Sequence, residues 1–188
     1  MIDYKVALDT LLLSERWINS GVVSKDDICR YANEAIDNES IIDHAATYFL
    51  SQFLASKSEL VESDVTKYVD LVEAEVDDGM GVDCLTWLIE HKSMTVDKLY
   101  CLKSTVPLEK YQISRNIERR LYQLRLENMT AIDEELLIEA VNTGDSILQK
   151  KVIETCENSI KVLRLLVEHG TNKKIRNISK EKLKKICK

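Results

Sequence analysis

The chain reads as an all-α protein, and three observations predict it. Five Gly and one Pro in 188 residues are too few for a turn-rich β architecture. Apolar residues recur at helical spacing through nearly the whole chain. Hydrophobic residues make up 45% and charged residues 31%, a balance that supports a packed core and excludes an intrinsically disordered chain. A chain of this size buries roughly 70% of its unfolded surface on folding, so its length fits one domain or two small ones, and a single domain spanning 1–188 is expected.

Taken in order, Tyr4, Leu8, Leu11, Leu12 and Ile18 form the stripe of a first helix, which Gly21 stops. Ser24, with Asp27 three residues on, caps a second helix running to about Asp37. Ser40 precedes a third, carrying Ile42, Ala45, Ala46, Phe49 and Phe53, with His44 beside its apolar stripe. Ser63 precedes a fourth with Val65, Tyr68, Val72 and Val76, and Asp77-Asp78-Gly79-Met80-Gly81 reads as a break. Leu85, Leu88 and Ile89 make a short helix, and Thr95 caps the next, with Val96, Leu99 and Leu102. Pro107 marks a boundary or a first turn, after which Ile113, Ile117, Leu121 and Leu124 keep helical spacing. Leu136, Leu137, Ala140 and Val141 end at Gly144; Leu148, Val152 and Cys156 follow, then Ile160, Leu163, Leu166 and Val167 up to Gly170. Thr171 or Asn172 opens a last helix bearing Ile175, Ile178, Leu183 and Ile186. About nine or ten helices result, and links of two to six residues predict antiparallel packing of neighbours. Expected core positions include Leu11, Phe49, Val72, Leu88, Leu121, Leu137, Val152, Leu163 and Ile178.

Trp17 and its following cap are echoed by Trp87 about 70 residues on, and Leu88-Ile89-Glu90-His91 by Leu166-Val167-Glu168-His169. Such echoes are expected of helix pairs stacked side by side. The five cysteines (Cys29, Cys84, Cys101, Cys156, Cys187) are widely spaced, with no C-x-x-C. They read as buried thiols of a reducing compartment, not as a disulfide framework or zinc site. No apolar run spans a bilayer and no secretory leader opens the chain, so a cytoplasmic protein without a membrane role is expected. The sequons at Asn38, Asn128 and Asn177 then carry no meaning.

Catalysis needs a nucleophile or metal with a base in reach. Three histidines are present, and His91 and His169 fall at helix C-termini, where an imidazole suits the dipole. There is no metalloprotease helix, nucleophile elbow or phosphate-binding loop. Gly79-Met80-Gly81 lacks the third glycine and preceding strand of a dinucleotide turn. The expectation is a non-enzyme with no cofactor and no metal.

Charge layout says more. Residues 1–100 hold 8 basic against 20 acidic residues, a net of −12; residues 101–188 hold 18 against 12, a net of +6. From 59 to 83, Glu59, Glu62, Asp64, Asp70, Glu73, Glu75, Asp77, Asp78 and Asp83 face only Lys67, with Lys92, Lys98 and Lys103 close behind. Such a cluster either attracts a basic partner and speeds its association or is a solvated helix face with an acidic loop. Asp70, Glu73 and Asp77 fall at spacings of three and four, which predicts one stripe adjoining Val69, Val72 and Val76. Asp78, in the expected break, would be free to adapt. At the other end, Lys173, Lys174, Arg176, Lys180, Lys182, Lys184, Lys185 and Lys188 decorate one helix, as a polar end cap or a phosphate-binding surface.

Asp145-Ser146-Ile147-Leu148 opens one helix, a break at Glu157-Asn158 opens a second, and His169-Gly170-Thr171-Asn172-Lys173-Lys174-Ile175-Arg176 turns into a third. This pattern, over roughly 133–188, resembles a HEAT-like α-helical repeat, in which an Asn or Asp in the turn precedes a basic helix start. The resemblance implies antiparallel helix pairs stacked as a short right-handed α-solenoid. With its acidic segment, the chain also looks like an immunity protein of a bacterial toxin system such as contact-dependent growth inhibition. That resemblance implies a protein-binding module that neutralises a cognate basic, nuclease-type toxin domain. Glu59, Glu62, Asp64, Asp70, Glu73, Asp77 and Asp78 are then the expected partner-binding residues. The alternative is a nucleic-acid-associated or scaffolding solenoid, with Arg115, Arg119, Arg120 and the final helix lining a positive surface.

Overall fold

The structure, a computed structural model, describes residues 2–35, 42–156 and 158–186. The Ser40 cap, the helix end at Asp37, the Asn38 sequon, Glu157, Cys187 and Lys188 lie outside the described residues. Within them every regular element is helical, and no helix is long and apolar enough to cross a membrane. The helices are α1 (Tyr4–Thr10), α2 (Arg16–Asn19), α3 (Lys25–Ala35), α4 (Ala45–Ser56), α5 (Glu62–Glu75), α6 (Asp78–Glu90) and α7 (Val96–Thr105). They continue with α8 (Leu108–Tyr111), α9 (Ser114–Glu127), α10 (Glu134–Asn142), α11 (Ser146–Thr155), α12 (Ile160–His169) and α13 (Lys173–Ile186).

The chain divides into two compact units, Met1–Ile117 and Glu118–Lys188, with the boundary inside α9. The first holds 11 basic and 21 acidic residues and the second 15 and 11, so their net charges are −10 and +4. In the first unit α1 packs on α3, α4 and α5 pack on α6, α8 packs on α6, and α5 touches α7. Trp17, Ile28, Leu50, Tyr68, Leu85, Leu88 and Leu99 are fully buried there. Burying one such aliphatic side chain stabilises the fold by about 1.5–3 kcal/mol. In the second unit α10 packs on α11 and α12, and α13 packs on α12 and α11. Leu137, Val152, Leu163, Leu166 and Ile175 form its centre.

Local hydrogen bonds explain where the helices start. Asp27 N–H donates to Ser24 Oγ at 3.1 Å, which caps α3, and Ser24 Oγ donates to Asp27 Oδ2 at 2.6 Å. Thr95, Asp133, Asp145 and Ser159 each accept an N–H at the start of α7, α10, α11 and α12. At α13 it is Asn172 that caps, through Ile175 N–H, while the Thr171 hydroxyl bonds Gly144 O and Gln149 Oε1. Gly21 and Gly144 sit at φ +73° and +69°, where a Cβ is disfavoured.

Several expectations are corrected. The first predicted helix is two, α1 and α2, separated by Leu12 at φ 56°. A continuous helix would fan Leu11, Leu12 and Leu13 over successive 100° steps. The break instead buries Leu11 and Leu13 and leaves Leu12 79% exposed. Ser14 Oγ then accepts Arg16 N–H, a local bond that competes with helix continuation. Gln112, at φ 52°, likewise cuts the extra turn α8 from α9, so the described helices number thirteen. The break expected at Asp77–Gly81 is instead the N-cap and first turn of α6, because the Asp77 carboxylate caps Gly79 and Met80 N–H. The expected core positions are buried except Ile178, 41% exposed. On α13 the inward stripe follows Ile175, Ser179, Lys182, Leu183 and Ile186, and Ile178 lies about 80° from its centre. The tryptophans are not equivalent: Trp17 is fully buried and Trp87 is 41% exposed.

Candidate protein-docking surface on the acidic unit

Helix α5 carries the acidic segment because its two faces differ. Val65, Tyr68, Val69, Leu71 and Val72 turn inward, and Tyr68 O–H donates to Cys84 O at 2.9 Å. Glu62, Thr66, Lys67, Asp70 and Glu73 are exposed.

The nine acids between 59 and 83 do not form one surface. Asp64 is buried: it accepts Val61 N–H at 3.2 Å and pairs with Lys57 Nζ at 2.9 Å. Burial raises its pKa, but the bonds from Lys57 and Val61 outweigh that and hold the carboxyl below its ordinary value. Its expected role in partner binding is therefore corrected: Asp64 fastens the start of α5. Glu75 accepts Ser14 Oγ at 2.7 Å. Asp77 does not extend the stripe of Asp70 and Glu73, since α5 ends at Glu75 and Asp77 is the cap of α6. Asp78 is not a free turn residue: it pairs with Lys110 Nζ at 2.9 Å, and that bond raises the ammonium's pKa. Glu59, Glu62, Asp70, Glu73 and Asp83 remain exposed and, among the described residues, without a side-chain hydrogen bond or ion pair.

Three of these, Glu62, Asp70 and Glu73, line one groove between α5 and α7. Its floor is Val65 and Val69, and α7 contributes Lys98, Cys101 and Thr105. The Lys98 ammonium is held at one end, donating to Leu60 O at 2.5 Å and Ser93 O at 3.1 Å. On the far side of α5, Asp70 and Glu73 also border an open cleft with Arg16, Lys67 and Leu71. The two acids thus form a ridge between depressions, with Arg16 and Lys67 bordering one and Lys98 the far end of the other. The i, i+4, i+8 spacing of Glu62, Thr66 and Asp70 was readable in the sequence; the opposite wall from α7 was not.

His91 joins Ser93 Oγ (Nδ1, 2.9 Å) to Lys57 O (Nε2, 3.2 Å) at the end of α6. His169 is exposed at the end of α12. His44, which its place beside the apolar stripe would have partly buried, is exposed at the N-cap of α4 and makes no side-chain cap bond. Burial pushes the Cys84 thiol up to about 12 and also raises that of Cys156, which keeps both protonated. Among the described residues no group of three or more His, Cys, Asp or Glu is placed to hold a metal ion.

The positive surface expected of Arg119 and Arg120 is also corrected. Arg119 Nε donates to the buried Asp145 carboxylate at 3.0 Å, and Arg120 is mostly covered, 3.8 Å from Glu127. On α13, Arg176 bonds Gly170 O, Lys182 bonds Ile153 O and Lys184 pairs with Glu181. Lys173, Lys174, Lys180 and Lys185 stay exposed. In comparison with known proteins, no family model matches the chain, nor does any curated protein or solved structure.

Proposed function

We propose that this chain is a non-catalytic protein-binding module that docks a basic partner against α5. The reading rests on one observation: Asp70 and Glu73, with Glu62, stand exposed and unpaired along a groove in a unit of net charge −10. Carboxylates placed so steer a cationic protein and slow its release once apolar contacts form. The partner class is a basic toxin domain of the nuclease type, with the carboxylates standing where substrate phosphates would lie; this chain then acts as its immunity protein. The pairing of α10 with α11 and α12 with α13 supports a HEAT-like unit over 133–188.

The test is affinity purification from the native source, with mass spectrometry, followed by stopped-flow association of the basic protein recovered. Asp70→Lys with Glu73→Lys should leave the circular dichroism unchanged and slow association, more strongly at low salt. An association rate equal to that of the parent chain would refute the docking role of α5.

A further inference from the structure

Beyond a general attraction for basic proteins, the groove between α5 and α7 has a size and a chemistry of its own. Its volume is about 120 Å³, well below the roughly 300–1,000 Å³ of pockets that enclose small-molecule ligands. It is room for one long side chain. The floor is apolar, from Val65 and Val69, so it suits an aliphatic stem and not a hydrated ion. The rim is charged at the end away from Lys98, where Asp70 and Glu73 lie three residues apart on one face of α5. Lys98 does not neutralise that end, because its ammonium is tied to the carbonyls of Leu60 and Ser93.

The geometry points to a socket for a single arginine of the docking partner, its stem over Val65 and Val69 and its guanidinium between Asp70 and Glu73. Arginine is favoured over lysine on two counts. A planar fork of donors can serve two carboxylates at once, and it sheds its hydration more readily than an ammonium. Buried arginines in such recesses are typical anchors of protein interfaces. Glu62, about 12 Å further along the helix axis from Asp70, would meet a second cation of the same segment.

This inference rests on the docking reading, and its test separates the two. N-acetyl-arginine amide and its neutral isostere N-acetyl-citrulline amide are titrated into the full chain and followed by amide NMR. The arginine probe should shift Val65, Val69, Asp70, Cys101 and Thr105 together and saturably. Citrulline should bind about fivefold more weakly. Asp70→Asn with Glu73→Gln should abolish that preference, and Thr105→Phe, a change at an exposed rim position, should block both probes. Equal binding of the two probes, or shifts spread over Glu59 and Asp83 instead, would overturn the socket. Capture of a basic partner that ignores Thr105→Phe would also overturn it and leave docking intact. A probe-filled socket with no basic partner recovered would leave the socket and remove the docking reading.

Discussion

Removing the buried Asp145 carboxylate should destabilise the second unit. Asp145 is 4% exposed. Its Oδ1 accepts Ile147 N–H at 2.8 Å and Leu148 N–H at 3.1 Å, and its Oδ2 accepts Arg119 Nε at 3.0 Å. Loss of an N-cap costs about 0.5–2 kcal/mol. Stripping one partner from a fully buried ion pair costs about 3–5 kcal/mol. Arg119 keeps 22% of its side chain in solvent and can rehydrate, which brings that second contribution down to about 1–2 kcal/mol. Asp145→Ala should therefore cost about 1.5–4 kcal/mol, and Asp145→Asn, which keeps a cap acceptor, about half as much. Burial works against the charged form, but the Leu148 N–H, Arg119 and the Ile147 N–H together hold the Asp145 pKa below its ordinary value. The stabilisation is thus fully present above the unfolded carboxylate value of about 3.9 and fades as pH falls through the lower folded value. Urea denaturation followed by circular dichroism, at neutral pH and across the acid limb, measures both effects. A loss for Asp145→Ala below about 0.5 kcal/mol, or an acid limb identical to the parent's, would refute this account.

Gly81→Ala should destabilise by about 1–3 kcal/mol despite the better helix propensity of alanine, because the new Cβ would lie 2.7 Å from Cε1 of the fully buried Tyr111; a raised melting temperature would contradict this. Ile178→Lys should change stability by less than about 0.5 kcal/mol, whereas Leu163→Ala should cost about 2–5 kcal/mol, as chemical denaturation can compare directly. A thiol reagent added to the folded chain should modify Cys101 well before Cys29, Cys84 or Cys156, which are buried; mass mapping of the labelled peptides decides it. Generic duplex DNA should bind weakly, since Arg119 and Arg120 are held inside their unit; a steep loss of affinity with salt would revive the nucleic-acid reading.

Much of the candidate site was legible as composition and little of it as geometry. The acidic run on α5 is plain in the sequence, and so is its helical spacing. Which acids are free is not. Asp64 is withdrawn by Lys57, seven residues away, in a bond that a local reading could find. Asp78 is withdrawn by Lys110, and Glu75 by Ser14, 61 residues away. These pairings depend on α8 and the α1–α2 corner arriving beside α5 and α6, which no local pattern states.

Most of the longer helices and several helix starts were legible in the sequence alone, because both are local. Apolar spacing of three and four places a stripe within one helix, and a Ser, Thr, Asp or Asn closes its own N–H groups two or three residues on, as at Ser24, Thr95 and Asn172. The tertiary structure decided what locality cannot: that Leu11 and Leu13 are both buried by breaking a helix, that Gly81 clears room for Tyr111, and that α7 supplies the second wall of the groove. In each case the deciding contact joins residues far apart in the chain, whose meeting is selected by the burial of the whole core and not by the propensity of either segment.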